Sequence, residues 1–183
     1  MSSQLQPQAL LSRLYTGNPV LQLERAQALA CWLQEHNARA APLVHLLPEL
    51  QRAAGVLAEH MQRMQLGDIC RACATRPGGG CCSASMAANS DVPLMVLNLL
   101  LGASIRTQEH SQDACCFLGS NGCLFVVKPI FCLNYYCRQL QERLLSTEQQ
   151  VLDSAANQVL ARQCAWEEQL LGLMRSQAIP MPN

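Results

Sequence analysis

The stretch Pro42-Leu43-Val44-His45-Leu46-Leu47-Pro48-Glu49-Leu50-Gln51-Arg52-Ala53-Ala54-Gly55-Val56-Leu57-Ala58-Glu59-His60-Met61-Gln62-Arg63-Met64 decides the fold class. Leu43, Leu46, Leu47, Leu50, Ala54, Leu57, Met61 and Met64 recur at helical spacing, so one face of a long helix is apolar from end to end. Pro42 is expected to open this helix and Gly67 to stop it. Upstream, Asn18-Pro19 is a helix start, with Asn as N-cap and Pro at the first helical position. Val20, Leu21, Leu23, Ala28, Leu29 and Trp32 follow, and the segment ends near His36-Asn37. Neither helix buries its stripe alone, so an antiparallel pair is expected.

Helical patterning returns from Asn134. Ser146-Thr147-Glu148-Gln149 fits a capping box with Ser146 as N-cap and Gln149 at N3. Val151, Ala155, Val159, Trp166, Leu170 and Leu173 then line one face down to about Met174, which suits a third or fourth bundle helix. Ile179-Pro180-Met181-Pro182-Asn183 reads as a disordered tail. The expectation is a mainly α chain, one domain over residues 1–183. Its helical bundle covers 4–66 and 138–175, and a Cys-rich, loop-rich metal-binding module with a small β-hairpin is inserted at 68–137. Within the module, Asp91 caps a short helix from Val92 to Leu101 that Gly102 ends. Asn121-Gly122, between Cys115-Cys116-Phe117-Leu118 and Cys123-Leu124-Phe125-Val126-Val127, marks the hairpin.

Half of the residues are hydrophobic and only 14% are charged, with 13 basic and 13 acidic side chains. A chain so balanced, without a run of like charge, is not expected to bind nucleic acid or an anionic membrane surface. The N-terminus has no basic segment followed by an apolar one, and the apolar run Val92 to Leu101 is too short to span a bilayer. A cytoplasmic location is therefore expected. There thiols stay reduced, and clustered cysteines more often hold metal than form disulfides.

There are 11 cysteines. Eight form two clusters, Cys70-x2-Cys73-x7-Cys81-Cys82 and Cys116-x6-Cys123-x8-Cys132-x4-Cys137. Four thiolates suit tetrahedral zinc or the irons of an iron–sulfur cluster. The expected ligands are Cys70, Cys73, Cys81, Cys82, Cys116, Cys123, Cys132 and Cys137, and the expected cofactor is zinc or an iron–sulfur cluster. Cys70-Arg71-Ala72-Cys73 reads as a tight turn aiming both sulfurs at one atom, and Gly78-Gly79-Gly80 allows close backbone approach. Cys81 and Cys82 point opposite ways in extended backbone, and Cys115-Cys116 raises the same difficulty. Eight thiols allow two four-thiolate sites or one site with spare thiols. Lys128 is placed to offset thiolate charge, Pro129 to fix the backbone before Cys132, and Tyr135 and Tyr136 to wall off the site. His110 reads as a surface or capping residue before it reads as a ligand, and Cys31 and Cys164 as ordinary buried thiols on the flanking helices.

Cys116-Phe117-Leu118, Gly122-Cys123 and Lys128-Pro129-Ile130-Phe131-Cys132, preceded by Cys70-x2-Cys73 and Cys81-Cys82, resemble the YkgJ family of small bacterial proteins with a zinc- or iron-chelating CxxCxxCC domain. The likeness spans about 68 of 183 residues and leaves out the helical flanks. The sequence departs from the family pattern in the seven residues between Cys73 and Cys81, where the compact motif has two, and in Lys128, where Arg is usual. The resemblance implies metal binding without a defined reaction. No metalloprotease, phosphate-loop, dinucleotide or nucleophile-elbow motif accompanies the thiols. A non-enzymatic metal protein, with a protein partner docking on the bundle, is the first expectation. An iron–sulfur redox protein or oxidoreductase subunit is the alternative, and a Cys nucleophile using His110 ranks last.

Overall fold

The computed structural model describes residues 7–74, 82–107, 114–120, 122–134, 137–176 and 179. It is mainly α, with one small two-stranded hairpin among the described residues. The Gly78–Gly80 run, Cys81, His110, Asn121, Tyr135, Tyr136 and the tail from Pro180 lie outside these residues.

Helix α1 (Pro7–Tyr15) is followed by α2 (Pro19–Glu35), which begins as its sequence dictates. The Asn18 side-chain oxygen accepts a hydrogen bond from the Leu21 amide at 2.9 Å, and Pro19 sits where no N–H is needed. Arg25, almost wholly buried, turns back from α2 and donates to the Arg13 and Thr16 carbonyls at 3.0 and 3.1 Å. It thus satisfies acceptors that the end of α1 leaves open.

Helix α3 (Asn37–Arg63) starts five residues before Pro42 and carries both Pro42 and Pro48 inside it. The proline expected to open the helix does not. Each proline removes a backbone bond, to Ala38 and to Val44, but the helix runs on because Ala40, Leu43, Leu50, Ala54 and Leu57 bury one continuous face. That face packs chiefly on α9, and α2 packs chiefly on α6, with only a small contact between α2 and α3. The expected antiparallel pair is thus replaced by two other pairings. Gly67 does not stop α3 either: Gln65 takes the left-handed conformation at φ 56°, and Gly67 lies inside α4 (Leu66–Ala74).

After α5 (Ala84–Ala87), α6 (Val92–Leu100) begins at Asp91, whose carboxylate accepts from the Leu94 amide at 2.8 Å. Val92 to Asn98 are all buried, so this helix, drawn from the Cys-rich region, lies in the core against α2, with lesser contact to α9 and α1. The hairpin pairs β1 (Leu118–Gly119) with β2 (Gly122–Cys123) in the register Leu118 to Cys123 and Gly119 to Gly122. Gly122 has φ 108°, which favours glycine there, and a Cβ on Gly119 would come within 2.8 Å of the Leu124 side chain and push it aside.

Helices α7 (Ile130–Asn134) and α8 (Arg138–Arg143) lead into α9 (Ser146–Ser176). Helix α9 starts at the residue expected to cap it, so its cap lies one residue earlier. Glu148 accepts from the Leu145 amide at 2.8 Å, so Leu145 is the N-cap and Glu148 the N3 partner. The buried face is Leu152, Ala155, Ala156, Val159, Trp166, Leu170 and Met174, whereas Val151 is exposed. Ile179, at the head of the expected tail, is buried against the core. No helix among the described residues is long and apolar enough to cross a membrane.

Candidate functional site

The two cysteine clusters, far apart in the chain, are joined by backbone. Ser83 and Ala114 form an isolated antiparallel bridge, and the Cys115 amide donates to the Cys82 carbonyl at 3.1 Å. Arg71 on α4 donates to the Ser120 carbonyl at 3.1 Å, which ties α4 to the hairpin tip. The loop beyond the hairpin is held from the bundle. Buried Asn98 on α6 donates to the Val127 carbonyl at 2.9 Å and accepts from the Val127 amide at 2.8 Å. One side chain thereby stands in for a strand neighbour and fixes the backbone just before Lys128-Pro129. The Cys132 amide closes the following turn on the Pro129 carbonyl at 2.9 Å.

These ties enclose a cavity of about 80 Å³. Cys70, Cys82, Cys115, Cys123 and Cys132 line it, with Lys128 and a largely apolar wall that includes Met61, Met86, Phe117, Phe125 and Phe131. The Phe117 and Phe125 rings lie 4.9 Å apart at the back of this region. A smaller adjoining hollow shares Cys70, Cys132 and Met61 and reaches Leu152 and Ala156 on α9.

The thiols differ in their electrostatics. Cys82 donates a hydrogen bond to Cys70, and this, with the charge of Lys128, outweighs burial and brings the Cys70 thiol down to about 7. Burial dominates at Cys115, whose pKa is pushed up to about 11, and it also raises Cys123 and Cys116. Cys123 feels both Lys128, which lowers its pKa, and Cys70, which raises it. Cys70 is thus the lining thiol shifted toward the thiolate, whereas burial holds Cys115 and Cys123 toward the neutral thiol.

Of the cysteines expected as ligands, Cys70, Cys82, Cys123 and Cys132 meet at this cavity. Cys116 and Cys137 pack on the core and are not among its lining residues, and Cys137 is the N-cap of α8. Cys70 and Cys73 lie on helix α4 instead of in a turn; i and i+3 still share a helix face. The side chain of Cys73 and the whole of Cys81 lie outside the described residues. Among the described residues, no three Cys, His, Asp or Glu side chains are grouped closely enough to hold a metal ion. Cys70, Cys115, Cys116, Cys123 and Cys137 are thiols and not disulfides.

Cys115 lines the cavity in place of its neighbour Cys116, a choice that spacing alone could not make. Asn98 was also silent in sequence, since its partner lies 29 residues away. Cys31 and Cys164, expected to be buried, are both exposed, and Cys31 donates to Glu35 at 3.5 Å. The reason is helical phase: Leu29, Ala30 and Leu33 take the buried face of α2, and Cys31 falls opposite. No protein-family model, curated protein or solved structure matches the chain.

Proposed function

We propose that this chain is a metal-binding protein that holds zinc or an iron–sulfur cluster through its clustered cysteines, without catalysis of its own. The observation that supports this reading is the convergence of Cys70, Cys82, Cys115, Cys123 and Cys132 on one cavity, although they span 63 positions of the chain. The donor set fits the group chemically. Thiolates are the ligands that zinc and iron–sulfur clusters take, and Lys128 supplies a counter-charge. A bound metal would clamp α4, the hairpin and α7 together and contribute directly to folding. Cys73 and Cys81, adjacent in sequence to these residues, are proposed as further ligands. Cys116 and Cys137 are retained as candidates from their spacing. The resemblance to the chelating YkgJ domain points the same way, and the location proposed with it is the cytoplasm, where thiols stay reduced. A protein partner would dock on the helical bundle.

Metal analysis of protein purified anaerobically without added metal tests this. About one or two equivalents of zinc or iron are expected. A brown colour with absorbance near 400 nm would assign an iron–sulfur cluster, and a colourless zinc protein would exclude it. Absence of both metals overturns the proposal. Cys132→Ser should release the metal, and Cys31→Ser should keep it.

A further inference from the structure

The cavity presents a second kind of soft donor beside its thiols. Met61, near the end of α3, and Met86, in α5, both line it, so two thioether side chains border the same space as the thiols. The Met86 sulfur accepts from the Asn89 side-chain amide at 3.8 Å, one turn along. Zinc and iron–sulfur sites have little use for thioethers, whereas copper(I) is held by thiolate and thioether alike. Cys70 and Cys82 are in hydrogen-bonding contact with each other. Copper(I), with a filled d shell and a single charge, is content with two or three sulfur ligands, where zinc needs four.

Charge points the same way. Lys128 is the only basic side chain among the described residues that line the cavity. Two thiolates around copper(I) leave one negative charge, which Lys128 cancels. Four thiolates around zinc leave two, of which Lys128 cancels one. In an apolar cavity the neutral assembly is the cheaper to bury. We propose that this cavity also takes copper(I), bound between Cys70 and Cys82 with the thioethers of Met61 and Met86 completing the sulfur environment. The inference rests on the reading of the cavity as a metal site and adds an ion to it.

The test is an anaerobic titration of metal-free protein with copper(I) against the chromophoric chelator bicinchoninate, alongside zinc uptake measured with a zinc indicator. Wild-type protein should withhold one equivalent of copper(I) from the chelator. Met61→Leu and Met86→Leu, which keep side-chain volume, should together weaken copper(I) retention on the order of tenfold and leave zinc uptake unchanged. Each single variant should lose part of that, so a fold defect in the double variant, visible by circular dichroism, does not decide the matter. Cys70→Ser should abolish copper(I) retention. Copper(I) affinity that is the same in both methionine variants as in wild type overturns the inference. So does a protein that keeps zinc or iron but yields copper(I) to the chelator, and that result leaves the broader metal reading intact. Retention of no zinc, iron or copper(I) sinks both.

Discussion

Asp91 is held in a conflict between two of its roles. As N-cap of α6 it accepts the Leu94 amide, which favours the carboxylate. Burial disfavours the charged form more strongly, and Glu167, itself bonded by the Tyr15 hydroxyl, adds like charge; together they push Asp91 up to about 6. Tyr15 is raised in the same neighbourhood, first by burial and then by Glu167. A carboxyl whose pKa is higher folded than unfolded contributes most below its ordinary value, and that contribution is lost as pH climbs to the folded value. Ionisation of Asp91 therefore costs stability across the window from about 4 to about 6. Asp91→Asn keeps a capping oxygen and removes the charge. The variant should be more stable than wild type by about 1 kcal/mol or more at neutral pH and about equal to it near pH 4, in urea unfolding at both pH values. An advantage that does not change with pH would refute this account.

At the scale of elements, α9 offers a direct comparison. Glu148 closes the cap on the Leu145 amide, one residue ahead of Ser146. Glu148→Ala should cost about 0.5–1 kcal/mol of stability, and Ser146→Ala only a few tenths. The opposite order in denaturant titrations would restore the cap to Ser146. The sharper case is Asn98, whose two bonds to Val127 join α6 to the cysteine loop. Asn98→Leu leaves a buried N–H and C=O of Val127 without their partner, and each such loss costs about 1–3 kcal/mol. The expected loss is at least about 2 kcal/mol, with weaker metal retention because the backbone ahead of Lys128 and Cys132 is released. Metal retention unchanged in a destabilised variant would show that the loop holds its shape without Asn98. The hairpin ahead of Cys123 and the caps at Asn18 and Asp91 were legible in sequence because turn and cap chemistry is local. Pro42 and Gly67 misled for the same reason: local preference points to a boundary, and at Pro42 burial of the α3 face against α9 outweighs it.

In the whole molecule, the cysteine region and the bundle share one core. Phe117, Phe125 and Val127 belong to the same buried cluster as Leu29, Leu50 and Trp166. Helix α6 lies inside it, with Met95, Val96 and Leu97 buried. A chain built this way should unfold in one cooperative transition by calorimetry, and on the proposed metal reading a chelator should lower its midpoint. Two resolved transitions, one of them sensitive to a chelator, would show that the cysteine region folds separately from the bundle.

The sequence by itself determined the helical class, the hairpin, three of the helix starts to within a residue and the cysteines worth watching. These follow from periodicity, capping and turn chemistry, which act over a few residues. Only the tertiary structure decided that α2 pairs with α6 and α3 with α9, that Cys115 and not Cys116 lines the cavity, and that Asn98 holds the loop beside it. Those outcomes depend on which apolar faces meet and on contacts between residues tens of positions apart. A linear pattern shows that such a face or thiol exists, and packing alone selects its neighbour.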